Sequence, residues 1–195
     1  MSKKKIFLIV GRTSSGKSSL SKEVCRRLNL KQVKSHTTRE PRPSEMENLN
    51  ECDHYFISDE EVEQFEPDMA AYTMINGNHY FTTKKTLFES DVYVIDPNGV
   101  YDLRHRCKNE IEDGQLEFVT IYIRVPKIVA QRRFTSRGET VDAFHERYGK
   151  EDMQFSDFER RMDWNYHILN DGEFEVAVQT MINIFKKEGT SSGHD

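Results

Sequence analysis

The apolar positions of the chain follow two periods. Ile6-Phe7-Leu8-Ile9-Val10 is an unbroken apolar run, entered from lysines and stopped by Gly11, which predicts a strand buried on both faces. Residues 17–28 place Leu20, Val24 and Leu28 four apart, which predicts a helix with one apolar face. The strand pattern returns at 91–95, ending at Asp96, and at 118–125. A Pro97-Asn98-Gly99 turn and a helix from Gly99 to about Lys108 are expected after the first of these. Pro126 after the second suits the opening turn of a helix. Residues 127–165 are helical in composition, with breaks expected at Arg137-Gly138 and near Tyr148-Gly149. A short strand at 167–169, a helix at 174–187 and a disordered Gly/Ser/His tail at 189–195 complete the pattern.

Between 35 and 85 the period changes. Pro41 and Pro43 exclude regular helix from a polar stretch. Residues 55–57 predict a short strand, and Ser58 with Glu61 a capped helix start. Asn76-Gly77, between β-prone stretches 70–75 and 78–83, predicts a hairpin. The whole predicts one α/β domain with a parallel central sheet flanked by helices. Its core comprises 4–34, 86–128 and 163–188, with a small β-rich insertion at 35–85 and a helical lid segment at 129–162.

The loop between the first strand and the first helix carries the chemistry. Gly11-Arg12-Thr13-Ser14-Ser15-Gly16-Lys17-Ser18 matches G-x-x-x-x-G-K-[ST] in full, and Ser19 follows it. Glycines let backbone N–H groups wrap a phosphate closely, and the helix opening at Lys17 points its positive end at the anion. Lys17 supplies a mobile charge for the β and γ phosphates, and the Ser18 hydroxyl a ligand for magnesium. ATP binding with Mg2+ is therefore expected. Asp96, at the end of the second long strand, is a candidate for the water shell of magnesium and phosphate or for the acceptor side.

Composition narrows the partners. The net charge is −5, from 28 Lys+Arg and 33 Asp+Glu, which argues against nonspecific nucleic-acid binding. No apolar run approaches the ~20 residues that span a bilayer. The Lys-rich start is followed by only five apolar residues, so a signal peptide is rejected. Cys25, Cys52 and Cys107 are odd in number and far apart, which suits thiols in a reducing cytoplasm. Small-molecule nucleotides are the expected partners, with the chain a monomer or homodimer.

Beyond the phosphate loop, the chain resembles the guanylate kinase family from Ile6 to about Phe185. Ser35-His36-Thr37-Thr38-Arg39-Glu40-Pro41-Arg42 resembles the family's S-x-T-T-R-x-P-R segment, which holds the acceptor nucleotide. Asp53-His54-Tyr55-Phe56-Ile57 resembles D-Y-x-F-V, Gly77-Asn78-His79-Tyr80 resembles G-N-Y-Y-G, and Ile95-Asp96-Pro97-Asn98-Gly99 resembles I-D-x-x-G. The resemblance implies that Arg39, Arg42 and Tyr80 hold the acceptor phosphate, and that Ser35 and Thr82 contact its base. It places His54 and Tyr55 in the acceptor site as well: the family's tyrosine aligns with His54, and strand alternation puts Tyr55 on the opposite face. It also implies that Arg137 and Arg147, with Arg133, are lid arginines that balance charge on the transferring phosphoryl group. Forked guanidinium groups on a proline-stiffened loop suit a dianionic phosphate in any case. The implied activity is phosphoryl transfer from ATP to a nucleoside monophosphate, GMP or dGMP first.

The base-reading positions depart from the family. A glutamate that pairs with guanine stands in the family where this chain has Ala71, the family's glycine is Phe81, and an acidic strand residue is Val94. An unpaired guanine edge costs about 1–3 kcal/mol. A bulky Phe81 is expected to reshape the base pocket. Two alternatives stay open: a kinase of this fold acting on another nucleotide or a sugar phosphate, and a catalytically weak interaction module.

Overall fold

The computed structural model describes residues 3–41, 43–47 and 52–189. Its first sheet is parallel, in the order β6 (Val92–Val94), β1 (Lys4–Val10), β7 (Leu116–Arg124), β8 (Tyr166–Leu169). Parallel neighbours need crossovers, and helices supply them. Alternate side chains of β1 feed two apolar cores. Phe7 and Ile9 pack with Leu20 and Val24 of α1 (Lys17–Leu28) and with Val178, Met181 and Phe185 of α8 (Phe174–Glu188). Ile6, Leu8 and Val10 face the other way, toward Val100 and Leu103 of α4 (Pro97–Arg106) and Phe155 and Phe158 of α7 (Val141–Arg161). Burial on both faces is what a run of five apolar residues requires.

The second sheet has the order β3 (His54–Phe56), β2 (Ser35–Thr37), β5 (Asn78–Thr83), β4 (Met69–Ile75). Asn76 and Gly77 take φ of 52° and 79° between β4 and β5, the left-handed pair a two-residue hairpin turn needs. A short α2 (Pro43–Met46) lies between β2 and β3, and α3 (Lys84–Phe88) follows β5. The Ser58 N–H donates to Glu61 at 2.8 Å as expected, but the segment forms two 3-10 turns, Asp59–Glu61 and Glu63–Asp68, instead of an α-helix. Pro67 denies the second turn an α-helical hydrogen bond.

Two other expectations are corrected. Pro97-Asn98-Gly99 is the first turn of α4, not a separate turn. Asp96 is its N-cap, its carboxylate accepting from Gly99 N at 3.1 Å, and Pro97 occupies the position where a missing N–H costs nothing. After α4 come α5 (Lys108–Glu112) and, beyond β7, α6 (Lys127–Thr135). The break at Arg137-Gly138 is present between α6 and α7, with Gly138 at φ 89° and Thr140 capping α7 through Ala143 N at 3.1 Å. The break at Tyr148-Gly149 is not: α7 runs through it. A helical glycine costs roughly 1 kcal/mol, and α7 is anchored on both sides of it by contacts described below, at Tyr148 before and at Glu151 and Asp152 after. The tail from 190 lies outside the described residues. Ala130, Phe134 and Phe144 give α6 and α7 a small apolar core of their own.

Candidate active site

The phosphate loop runs from the end of β1 into α1, and two of its residues, Ser14 and Gly16, have positive φ, 56° and 87°. Gly11 lies against β7: a Cβ there would stand 2.9 Å from the Ile123 carbonyl oxygen, so no larger residue fits. Asn170, just past the edge strand β8 and 3% exposed, donates its side-chain amide to Ser15 O at 2.8 Å and pins the loop. Ser18 and Ser19 are exposed on the opening turn of α1. Lys17 is half-buried, with its ammonium 3.5 Å from Arg12 O. Burial pushes Lys17 below the usual lysine range and the nearby Arg147 and Arg137 push the same way, against Glu151 and Asp96.

Of the three arginines expected in the lid, Arg133 comes nearest this loop. Arg133 of α6 brings Nη1 to 3.8 Å from where a Cβ on Gly16 would lie, and that nitrogen is buried without a hydrogen-bond partner. Arg137 and Arg147 stay exposed and act on Lys17 through their fields. A residue that sequence reasoning missed is Glu151. Its carboxylate accepts the Thr13 N–H of the phosphate loop at 2.8 Å and lies 3.9 Å from Arg147. Burial raises its pKa, against the pull of Thr13 N, Lys17 and Arg147. Only its place on α7, four residues after Arg147, hinted at it. Asp96 combines capping α4 with proximity to Lys17; burial lifts its carboxyl above the usual range while Lys17 and the α4 amides oppose.

Arg12 differs from the rest of the motif. The motif asks only for its backbone N–H, and its guanidinium goes to α7. It lies between the rings of Tyr148 (4.8 Å) and Phe155 (4.9 Å), bonded to Asp152 and Glu159 of α7. Tyr122 of β7 donates its hydroxyl to the same Glu159.

The second sheet sorts the acceptor candidates by face. Pairing of Ser35 with His54, of His36 with Phe81 and of Ala71 with Thr82 lines up His54, Ser35, Thr82 and Ala71 as one row across four strands. Ser35 Oγ lies 2.8 Å from His54 Nδ1, and the fully buried Thr82 Oγ1 has no hydrogen-bond partner. Tyr80 and Phe56 are on the same face, and the Arg39 guanidinium sits 5.3 Å over the Phe56 ring. Arg39 is forked onto Glu45 of α2 at 2.9 and 3.0 Å. Tyr55 is not brought to this row. It is on the opposite face, exposed, against His36 and under the Lys34 ammonium. Phe81 is there too, stacked on His36 at 4.9 Å, so it does not line the row, contrary to expectation. Arg42 lies outside the described residues.

The phosphate-loop geometry, the arginines near it and a separate polar sheet face are what the fold brings together. The chain matches the family described as Guanylate kinase over residues 3–188. It belongs to the guanylate kinase family. Among curated relatives, it is 28% identical to the guanylate kinase of Haemophilus influenzae (strain 86-028NP), over 96% of this chain and 90% of that protein. It is also 28% identical to that of Clostridium tetani (strain Massachusetts / E88), over 96% and 88%. The crystal structure of guanylate kinase from Anaplasma phagocytophilum superposes with TM-score 0.68 at 21% identity, covering 98% of this chain and 89% of that one, and shows the same fold. No described helix is long and apolar enough to cross a membrane.

Proposed function

We propose that this guanylate kinase family member transfers the γ-phosphoryl group of ATP to a nucleoside monophosphate, with GMP or dGMP as first acceptor. The observation that carries the reading is the convergence of cationic donors on the phosphate loop. Lys17 is partly desolvated there, Arg133 Nη1 is buried without a partner beside Gly16, and Arg137 and Arg147 act on the same point. Positive charge on several sides is what a transferring phosphoryl group requires, since its charge spreads over three oxygens. Positioning and charge suffice, without a covalent intermediate. Arg39 and Tyr80 would hold the acceptor phosphate, and the row of His54, Ser35 and Thr82 would meet its base with an imidazole and two hydroxyls.

Magnesium fits this site as a guest of the donor phosphates. No described cluster of three or more His, Cys, Asp or Glu could cage it, and Mg2+ is usually held through one or two protein groups plus phosphate oxygens. Ser18, exposed on the first turn of α1, would hold it and Asp96 its water; when bound it neutralises phosphate charge. The three cysteines form no disulfide, which suits a cytoplasmic protein.

The test is ADP release with Mg-ATP against GMP, dGMP, AMP, CMP, UMP and dTMP. Turnover with GMP or dGMP is expected, read without a carboxylate at Ala71, and abolished by Lys17→Ala in a protein that still folds. Clear ATP binding with no turnover of any of the six would overturn the reading.

A further inference from the structure

Arg12 occupies the second position of the phosphate loop, yet its side chain is spent on α7. Nη1 donates to Asp152 at 2.5 Å, Nε and Nη2 fork onto Glu159 at 3.0 and 3.2 Å, and the guanidinium plane is held between Tyr148 and Phe155. These four partners, at 148, 152, 155 and 159, are spaced four, three and four apart, so they form one stripe along one face of the helix. Arg12 is 9% exposed, and Tyr122 of the central sheet shares Glu159. One residue further along the loop, the Thr13 amide is bonded to Glu151 on the same helix. The loop thus grips α7 at two successive residues, through the Arg12 side chain and the Thr13 amide. Arg147 is the neighbour of Tyr148 and stands 3.9 Å from Glu151. A slip of α7 by one residue turns it by about 100° and would swing Arg147 away from Lys17.

We propose that Arg12 is a positioning residue: it fastens the root of the lid helix α7 to the phosphate loop, fixing the helix rotation that holds Arg147 over the phosphoryl site. It acts through Arg147. Only a guanidinium meets this geometry, because a planar fork that also stacks on two rings is beyond a lysine ammonium. The inference rests on the phosphate loop being the ATP site.

The experiment is a double-mutant cycle on kcat at saturating Mg-ATP and acceptor, with ADP affinity measured by calorimetry. Arg12→Ala is expected to lower kcat by about tenfold or more with ADP affinity changed less than about threefold. In the Arg147→Ala background the same change should cost no more than about twofold, because coupled residues are not additive. Asp152→Asn, at an exposed carboxylate, and Arg12→Lys, which keeps the charge and loses the fork, should follow the same pattern if Arg12→Ala does not fold. Equal losses in both backgrounds would overturn the proposal, as would no loss in Arg12→Lys and Asp152→Asn. A second readout needs no turnover. Trp164, the single tryptophan, packs 4.9 Å from Tyr122 and 5.5 Å from Phe158 beside the Glu159 contact. Its fluorescence should change when ADP binds, and Arg12→Lys should bind ADP without that change. An unaltered response in Arg12→Lys, or none in the parent, would overturn the coupling. A protein that turns over no acceptor would sink the functional reading alone, since the ADP-linked response is measured independently.

Discussion

Gly16→Ala tests how the phosphate loop is held. Gly16 sits at φ 87°, in the left-handed region, and a side chain there costs about 1–2 kcal/mol. A Cβ at this position would also collide with the Asn170 side-chain amide, which donates to Ser15 O at 2.8 Å. Asn170 is 3% exposed, so displacing it leaves a buried carbonyl without its donor, at about 1–3 kcal/mol. The two costs together are about 2–5 kcal/mol. For a chain of this size each kcal/mol corresponds to roughly 2–4 °C in melting temperature. The assay is urea unfolding of the parent, Gly16→Ala, Asn170→Ala and the double variant, with the slope checked for constancy. Asn170→Ala removes the colliding amide, so the double variant should be less destabilised than the sum of the singles. A Gly16→Ala loss below about 1 kcal/mol, or strict additivity, would refute the argument that Asn170 is the wall behind Gly16.

Other outcomes follow from the charges. Glu151→Gln keeps an acceptor for the Thr13 amide and removes a negative charge from the loop, so ATP affinity should rise by about three- to tenfold, the size of one water-screened charge pair at 4 Å, about 1 kcal/mol; weaker binding by calorimetry would contradict it. Burial raises the Glu151 pKa on folding, so its ionisation destabilises the fold as pH rises from the unfolded carboxylate value through the folded one. Glu151→Gln should therefore be more stable than the parent at neutral pH, with the gap closing in acid, and a constant gap across pH would contradict this. Arg39→Ala should raise the acceptor KM by about ten- to a hundredfold, from the loss of charge-assisted bonds worth about 1.5–3 kcal/mol, and leave ATP affinity unchanged; an unchanged acceptor KM would remove Arg39 from the acceptor site.

Local sequence determined what depends on neighbours in the chain. Five successive apolar residues before Gly11 specify a strand buried on both faces, and G-x-x-x-x-G-K-S specifies the loop after it, because each needs only its own residues to fix burial or backbone. Asn76-Gly77 specifies the hairpin for the same reason. The strand period also separates His54 from Tyr55, but not which of them faces Ser35; that came from the register of β2 with β3. Tertiary structure likewise sent Phe81 to the far face and drew α7 unbroken through Gly149, where contacts from a loop more than a hundred residues earlier outweigh a glycine's weak preference. Arg12 and Glu151 show the division most plainly. The motif fixes the backbone around Arg12 and is silent on its side chain, and locally only its spacing of four from Arg147 marks Glu151. Both owe their roles to α7 crossing the phosphate loop, a contact between distant segments that exists only once the sheet has brought them together.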